Sequence, residues 1–379
     1  MKLLIIPDSF KGTMSSAKVC GIIEAEIHTH FPQAQTVSIP VADGGEGSVD
    51  AFLTALGGER VTRSVKGPHF EQVDAYYGIL PDQKTAVIEM AQAAGLPLAG
   101  DRLSPGTTTT YGVGELMAHA ISRGCTKLIV GLGGSATNEF GCGAAAAMGV
   151  KFFDAQGDSF IPTGETLSKV QRIDTTELSP ALEGIEVITM CDIDNPLYGE
   201  TGAAYVFSPQ KGADPQMVRL LDAELRAISE TVKRDLSVDV SGLPGAGAAG
   251  GMGGGMVAFF GSKLQMGIET VLDVTAFDEL LCGADLVITG EGKLDRQSLG
   301  GKVVIGVARR AKKQNVPVVA LVGDIGDDIE DAYAEGVSAI FSINRVAVPF
   351  AEAKLRSRED LALTAGNLMR FLKRIGFPL

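Results

Sequence analysis

Polar residues follow several short apolar runs in the outer thirds of the sequence, where buried strands would end. The segments are "PDSFKG" after residue 6, "DGGEG" after residue 42, "GEGKLDRQSLGGK" after residue 289, "GDIGDD" after residue 322, and Asn344-Arg345. Their groups could bind an anion, hold Mg²⁺ or accept a hydroxyl proton, and the candidates are Ser9, Lys11, Asp43, Asp295, Arg296 and Lys302. Because ligands bind at the carboxyl ends of parallel strands, we expect these loops to line one cleft.

The middle of the chain adds a second set of candidates. "GLGGSATN" offers flexible backbone and hydroxyl groups that suit phosphate, from Gly133, Gly134, Ser135, Thr137 and Asn138. "TMCDIDNP" places Asp192 and Asp194 after an apolar run, which suits Mg²⁺. An Asx turn before Pro196 explains those aspartates equally well. Lys211 lies in "SPQKGA", which is either a ligand loop or an exposed turn.

Two glycine-rich segments stand directly before predicted helices. "ADGGEG" precedes the apolar spacing of residues 49–56, and "SLGGK" precedes residues 302–313. Free backbone N–H groups at a helix N-terminus bind anions, so each segment is a candidate anion site. The first helix could instead be capped by Asp43 or Glu46, while Lys302 adds a positive charge at the second.

Apolar periodicity predicts the elements that position these loops. Strands are expected at 2–6, 36–42, 285–289, 316–323 and 338–343, with helices between them. This alternation indicates a parallel sheet covered by helices. Between residues 66 and 265 the order of strands and helices differs, with antiparallel strands expected on either side of Pro81-Asp82. The uncharged stretch 240–262 reads as a buried or ligand-facing loop region.

The pattern allows one large α/β domain or two domains, and we favour the second. A discontinuous doubly wound domain would comprise residues 1–65 and 266–379, and residues 66–265 would form an inserted α/β domain. The two chain ends share the same alternation of strands and helices, and chain termini often lie close together in space.

Composition narrows the possible partners. The net charge is −13, which offers no basic surface for nucleic acid or an anionic membrane. The five cysteines are scattered and read as free, buried thiols. The N-terminal apolar run is too short for a signal peptide, so we expect a cytoplasmic protein.

Taken together, these residues favour phosphoryl transfer, in which positioning and charge stabilisation supply most of the catalysis. Two other interpretations remain. An NAD-dependent hydroxy-acid dehydrogenase is suggested by the GxGxxG spacing of Gly245, Gly247 and Gly250, although no convincing strand precedes it. A small-anion binding protein is the third interpretation.

Eight segments in order resemble the type-1 glycerate kinase family from end to end. They are "PDSFKG", "VADGGEG", "TTTYGVGEL", "VGLGGSATN", "DIDNPL", "PQKGA", "PGAGAAGGMG" and "ITGEGKLDRQSLGGK". The resemblance implies ATP- and Mg²⁺-dependent phosphorylation of D-glycerate in a cleft between two domains. It also implies a flavodoxin-like domain built from both chain ends. The implied product is 2-phosphoglycerate, with 3-phosphoglycerate as the alternative.

Motif match and loop position together imply roles for the candidates. Ser9, Lys11, Asp43 and Arg296 would bind glycerate, and Lys11 would also act in catalysis. Asp192 or Asp295 would accept the hydroxyl proton and help to hold Mg²⁺. The ATP phosphates would be bound by Gly133, Gly134, Ser135, Thr137, Asn138, Lys211 and Lys302.

Three positions depart from the family pattern. Lys293 stands where the family commonly has arginine, and Ser208 where glycine is usual. Glu139-Phe140 replaces a common Asp-Gly, so Phe140 is expected to narrow the loop after "GGSATN".

Overall fold

The structure is a computed structural model that describes residues 1–41, 44–296 and 298–377. Its contacts divide these residues into two compact units. Unit 1 contains 1–41, 54–56 and 266–377, and unit 2 contains 44–53 and 57–265.

The elements alternate along most of the chain. The strands are β1 (Lys2–Pro7), β2 (Gln35–Ser38), β3 (Glu59–Lys66), β4 (Gln72–Ile79), β5 (Thr85–Glu89), β6 (Lys127–Gly131), β7 (Lys151–Phe153), β8 (Ser159–Phe160), β9 (Arg172–Asp174), β10 (Glu186–Met190), β11 (Lys263–Gln265), β12 (Leu286–Leu294), β13 (Val318–Ile325) and β14 (Val337–Ser342). The helices are α1 (Ser16–His30), α2 (Ser48–Leu56), α3 (Ala91–Ala94), α4 (Leu96–Ala99), α5 (Tyr111–Ser122), α6 (Cys142–Ala147), α7 (Leu178–Ala181), α8 (Ala203–Phe207), α9 (Pro215–Leu236), α10 (Ala248–Phe260), α11 (Gly267–Val274), α12 (Phe277–Leu280), α13 (Val303–Lys313), α14 (Asp331–Ala334) and α15 (Phe350–Arg374).

Unit 1 is built on a parallel sheet whose described strands have the order β14-β13-β12-β1-β2. Leu3 and Ile5 of β1 belong to the core cluster formed with α1 and α15. The alternating residues Leu4 and Ile6 are also fully buried, which places them against the other face. Burial on both faces explains why this strand is a continuous apolar run.

Unit 2 is built on a mixed sheet whose described strands have the order β11-β10-β6-β5-β4-β3. β11, β10, β6 and β5 are parallel, and β4 and β3 extend the sheet antiparallel. A small antiparallel sheet of β8, β7 and β9 lies elsewhere in the unit. The apolar residues of this unit form one large core cluster.

The α/β class and the parallel sheet of the chain ends are confirmed, as is the antiparallel pairing across Pro81-Asp82. Residues 44–53 and 57–65, which we expected with the chain ends, lie in unit 2, where β3 pairs with β4 along its length. The stretch 240–262 is not simply a loop, since α10 occupies much of it. Among the described residues, no helix combines the length and apolar character needed to cross a bilayer.

Candidate active site

Two glycine-rich loops of unit 2 pack directly against each other. Gly133, which follows β6, donates its N–H to the carbonyl oxygen of Gly44 over 3.0 Å. A Cβ on Gly131 would lie 2.4 Å from that same oxygen, and one on Gly133 would lie 2.4 Å from Cα of Gly45. Only glycine permits this approach, so the two predicted loops form one wall.

This wall forms one side of a cavity of about 400 Å³ in unit 2. Its lining follows the carboxyl ends of β6 and β10, where a parallel sheet is expected to bind ligands. The apolar lining includes Leu96, Leu132, Met190, Ile193, Phe207 and Ala249. The remaining lining includes Glu46, Gly133, Ser135, Asp192, Gln210 and Lys211. The structure therefore brings together five predicted site residues, Gly133, Gly134, Ser135, Asp192 and Lys211.

Lys211 is a buried cation at this cavity. Its side chain is 1% exposed, and its Nζ donates to Ser135 Oγ over 2.8 Å and to the carbonyl oxygen of Thr137 over 2.6 Å. Burial lowers the pKa of Lys211 to about 7, while the charge of Glu139 acts in the opposite direction. An amine in this state takes up a proton when an anion binds nearby.

Glu139 fixes the loop that carries the glycines. Its Oε1 accepts from the Thr110 hydroxyl over 2.6 Å, and its Oε2 accepts from the Gly143 N–H over 2.7 Å. The carboxyl is fully buried, and burial raises its pKa to about 8 against the effect of those hydrogen bonds. These hydrogen bonds connect the segment after Asn138 to the N-terminus of α5 and to α6.

The N-terminus of α2 is occupied by a carboxylate of the chain itself. Glu89, at the end of β5, accepts from the N–H of Val49 over 2.6 Å and from that of Gly47 over 3.3 Å. Burial raises the pKa of Glu89, and the bond from Val49 opposes that shift. From the sequence we expected Asp43 or Glu46 to cap this helix, but Asp43 lies outside the described residues. Glu89 is a residue that no local pattern indicates, because it is 40 positions away from Val49.

Thr137 and Asn138, two further predicted phosphate ligands, lie beneath the cavity wall and do not line it. Both are fully buried, and Asn138 Oδ1 accepts from the Ser208 hydroxyl over 2.9 Å. Ser208 therefore supports the loop from behind. Among the described residues, neither Thr137 Oγ1 nor Asn138 Nδ2 has a hydrogen-bond partner.

Phe140, which we expected to narrow the loop after "GGSATN", does not line the cavity. Its side chain is fully buried in the core of unit 2, where it contacts Phe259 edge-to-face at a centroid distance of 5.8 Å.

A second group of predicted residues gathers at the carboxyl edge of the sheet in unit 1. Asp8 and Ser9 follow β1, and the Asp8 N–H donates to the carbonyl oxygen of Gly290 over 2.8 Å. Asp295 follows β12, and its carboxylate lies 4.0 Å from the ammonium group of Lys293. Lys302 is the half-buried residue at which α13 begins. Lys11 and Arg296 are exposed.

Glu291 belongs to the same edge, and sequence reasoning missed it. It lies inside β12 and is 6% exposed. Burial raises the pKa of Glu291 to about 7 and the charge of Asp8 adds to the shift, whereas Ser298 and Lys302 oppose it. The sequence analysis ended the strand at residue 289 and placed Glu291 in the polar segment that follows, whereas β12 continues to Leu294.

The donor groups fit a metal held mostly by phosphate oxygens and water. Within 1–41, 44–296 and 298–377, no group of three His, Cys, Asp or Glu side chains could hold an ion by itself. Asp192 and Ser135 nevertheless both line the cavity. Mg²⁺ is commonly bound through one or two carboxylates together with substrate phosphates, so this donor set fits it.

The parallel α/β fold, the glycine wall and the buried lysine are features expected of a small-molecule phosphotransferase. The family model described as the glycerate kinase family matches residues 3–373. A glycerate kinase of Bacillus cereus is 43% identical over 369 residues, which is 97% of each chain. A glycerate 2-kinase of Escherichia coli K12 is 45% identical over 344 residues, which is 90% of each chain.

A solved structure agrees with these sequence matches. The crystal structure of a protein assigned as glycerate kinase 2 from Salmonella typhimurium LT2 is 41% identical to this chain. The two structures superpose with a TM-score of 0.87, and the match covers 99% of this chain and 98% of the Salmonella chain. The chain belongs to the glycerate kinase family. It is therefore an enzyme, an ATP-dependent kinase.

Proposed function

We propose that the enzyme transfers the γ-phosphoryl group of ATP to D-glycerate and releases 2-phosphoglycerate and ADP. Buried Lys211 in the glycine-walled cavity is the observation that carries this proposal, because it provides a positive charge where an anion can enter. The name of the Escherichia coli relative, glycerate 2-kinase, supports both the substrate and the position of transfer.

The cavity of unit 2 is the proposed ATP site. Its apolar lining suits a nucleobase, and the backbone of Gly133 and Gly134 with the Ser135 hydroxyl suits phosphates. Lys211 becomes fully protonated as the phosphates bind and neutralises part of their charge. Thr137 and Asn138 support this loop from beneath, and Lys302 is a further phosphate contact.

The carboxyl edge of the sheet in unit 1 is the proposed glycerate site. Ser9, Lys11 and Arg296 supply hydroxyl, ammonium and guanidinium groups that suit a hydroxy-carboxylate. Arginine can bind a carboxylate through two parallel hydrogen bonds, so we assign the carboxylate to Arg296. Asp43 remains a proposed contact on the evidence of its motif alone.

Asp192 and Asp295 are the proposed proton acceptors and the protein ligands of Mg²⁺. When bound, the ion neutralises charge on the phosphate oxygens. One of the two aspartates takes the proton of the attacking hydroxyl, and Lys11 stabilises the charge that develops during transfer.

We also propose that the enzyme works in the cytoplasm. All five cysteines are free thiols, and those at residues 20, 125 and 142 are buried, which is compatible with a reducing compartment.

The first experiment measures ADP release from purified protein with ATP, Mg²⁺ and D-glycerate, against a control without glycerate. The proposal predicts ADP release that depends on D-glycerate. ADP at the level of the control would reject D-glycerate as the substrate. Absorbance at the nicotinamide wavelength with NAD and glycerate tests the dehydrogenase alternative and is expected to stay constant.

A further inference from the structure

Glu291 is a buried carboxylate on the middle strand of the sheet in unit 1. The strand order β14-β13-β12-β1-β2 places β12 at the centre, and Glu291 pairs with Val322 of β13. Only 6% of the residue is exposed, and its Oε1 has no hydrogen-bond partner among the described residues. Burying a carboxylate costs free energy unless it is paired, so a purely structural role would be better served by an apolar side chain.

A short chain of hydrogen bonds connects Glu291 to the proposed catalytic loop. The Ser298 hydroxyl interacts with the Glu291 carboxyl and lowers its pKa, and it also donates to the carbonyl oxygen of Lys293 over 3.4 Å. The Ser298 Oγ also accepts from the backbone N–H of Asp295 over 3.3 Å. The Ser298 N–H in turn donates to the carbonyl oxygen of Asp295 over 2.9 Å.

The charges around Glu291 belong to the same loop and to the end of β1. Asp295 and Lys302, both proposed ligand contacts, act on Glu291 electrostatically with opposite signs, and Asp8 adds a negative charge. The Lys302 N–H donates to the carbonyl oxygen of Ser298 over 3.2 Å, so the loop closes on itself just where α13 begins. Glu291 thus contacts the centre of a loop whose two ends carry Asp295 and Lys302.

We propose that Glu291 is a positioning residue for the phosphoryl-transfer reaction. Through Ser298 it fixes the backbone of Asp295, and its charge attracts the ammonium group of Lys302. Both groups are thereby held at the carboxyl edge before substrate binds. This inference rests on the proposed function, since it assigns a role in that reaction.

The decisive variant is Glu291→Gln, which keeps the size of the side chain and removes its charge. We expect kcat to fall about 10- to 100-fold, because displacing a reacting group by a fraction of an ångström has effects of this size. We expect the loss in kcat to exceed any change in KM for ATP, since the cavity of unit 2 is untouched and only the contact of Lys302 is altered.

Glu224→Gln is the matched control. Glu224 is also 6% exposed and also binds a serine, accepting from the hydroxyl of Ser168 over 2.8 Å, but it lies in unit 2 outside the lining of the cavity. The control removes a buried carboxylate that also binds a serine and should keep kcat within about twofold. Equal losses of kcat in the two variants would overturn the proposal.

Ser298→Ala tests the hydrogen-bond chain without touching the buried carboxylate. If Glu291 acts through Ser298, the double variant should lose no more kcat than Glu291→Gln alone, because the interaction between the two residues is already removed in the single variant. Losses that multiply in the double variant, or a Ser298→Ala enzyme with wild-type kcat, would overturn the proposal. A wild-type enzyme that does not phosphorylate D-glycerate would instead reject the proposed function.

Discussion

The ammonium group of Lys211 lies in the interior of unit 2 with hydroxyl and carbonyl oxygens as its acceptors. Its pKa falls from 10.5 to about 7 because burial disfavours the charged form. Between these two values the folded protein holds a neutral amine and the unfolded chain holds a cation. Unfolding therefore takes up a proton, and the free energy of unfolding should rise with pH across this window.

Replacing Lys211 with Met should remove that dependence. We expect the free energy of unfolding of the wild type, relative to Lys211→Met, to rise by at most about 1.4 kcal/mol for each pH unit between about pH 7 and 9. Urea denaturation of both proteins across this range measures the difference. Lys169→Met, at an exposed lysine of the same unit, should follow the wild type. If the free energies of unfolding of the wild type and Lys211→Met change with pH in the same way, the amine is protonated in the folded protein.

Phe140 combines a strained backbone with a well-packed ring. Its φ is 61°, in the left-handed region, yet its side chain is fully buried. Glycine would relieve strain of about 1–2 kcal/mol, whereas loss of a buried phenyl ring costs about 3–5 kcal/mol. The loss of the ring should outweigh the relief of backbone strain, so Phe140→Gly is expected to be less stable than the wild type by about 1–4 kcal/mol.

Phe140→Ala separates the two effects, because it loses the ring and keeps the strain. Chemical denaturation should find it about 1–2 kcal/mol less stable than Phe140→Gly. Equal stability of the two variants would mean that the backbone at this position is not strained.

At the level of elements, α10 and the turn before it explain glycines of the spacing that resembled a dinucleotide motif, and a Cβ on Gly247 would lie 2.3 Å from the carbonyl oxygen of Pro196. Ala249, Gly250 and Gly251 adopt left-handed conformations inside this helix. A Cβ on Gly250 would lie 2.1 Å from the carbonyl oxygen of Thr137, and one on Gly255 would lie 1.9 Å from that of Phe140. The glycines let the helix backbone pack on the loop beside the cavity, and no pyrophosphate is needed to account for them.

Gly255→Ala should therefore be harmful even though alanine favours helices. The helix preference is worth about 1 kcal/mol, but the backbone contact must be displaced, so we expect net destabilisation of about 1–3 kcal/mol. Thermal unfolding measures the effect. Gly242→Ala, where an added Cβ meets no atom within 4 Å, should stay close to wild type. A fully stable Gly255→Ala protein would contradict the close packing of α10 on this loop.

The elements that the sequence predicted well are those with strong local signals. β1, β12 and β13 are apolar runs because both faces of their sheet are buried, and such runs are visible without a structure. α10 was missed because glycine is a poor helix former, so its residues resembled a loop. Its helical state depends on tertiary contacts that a local pattern does not contain.

At the level of the whole molecule, the two sets of proposed ligand groups belong to two units. The loops carrying these groups were predictable, because polar segments after apolar strands mark a ligand edge. The support beneath them was not predictable. Glu89 caps a helix 40 positions away, and Glu291 is linked to the backbone of Asp295 through Ser298. Such contacts depend on the folded arrangement of distant segments.

The central claim is that this kinase phosphorylates the 2-hydroxyl of D-glycerate. The most direct test couples the purified enzyme, with ATP, Mg²⁺ and D-glycerate, to enolase in the absence of phosphoglycerate mutase. Enolase acts on 2-phosphoglycerate, so we expect phosphoenolpyruvate to form as fast as ADP is released. ADP release without phosphoenolpyruvate, followed by phosphoenolpyruvate once mutase is added, would contradict the claim and identify 3-phosphoglycerate as the product.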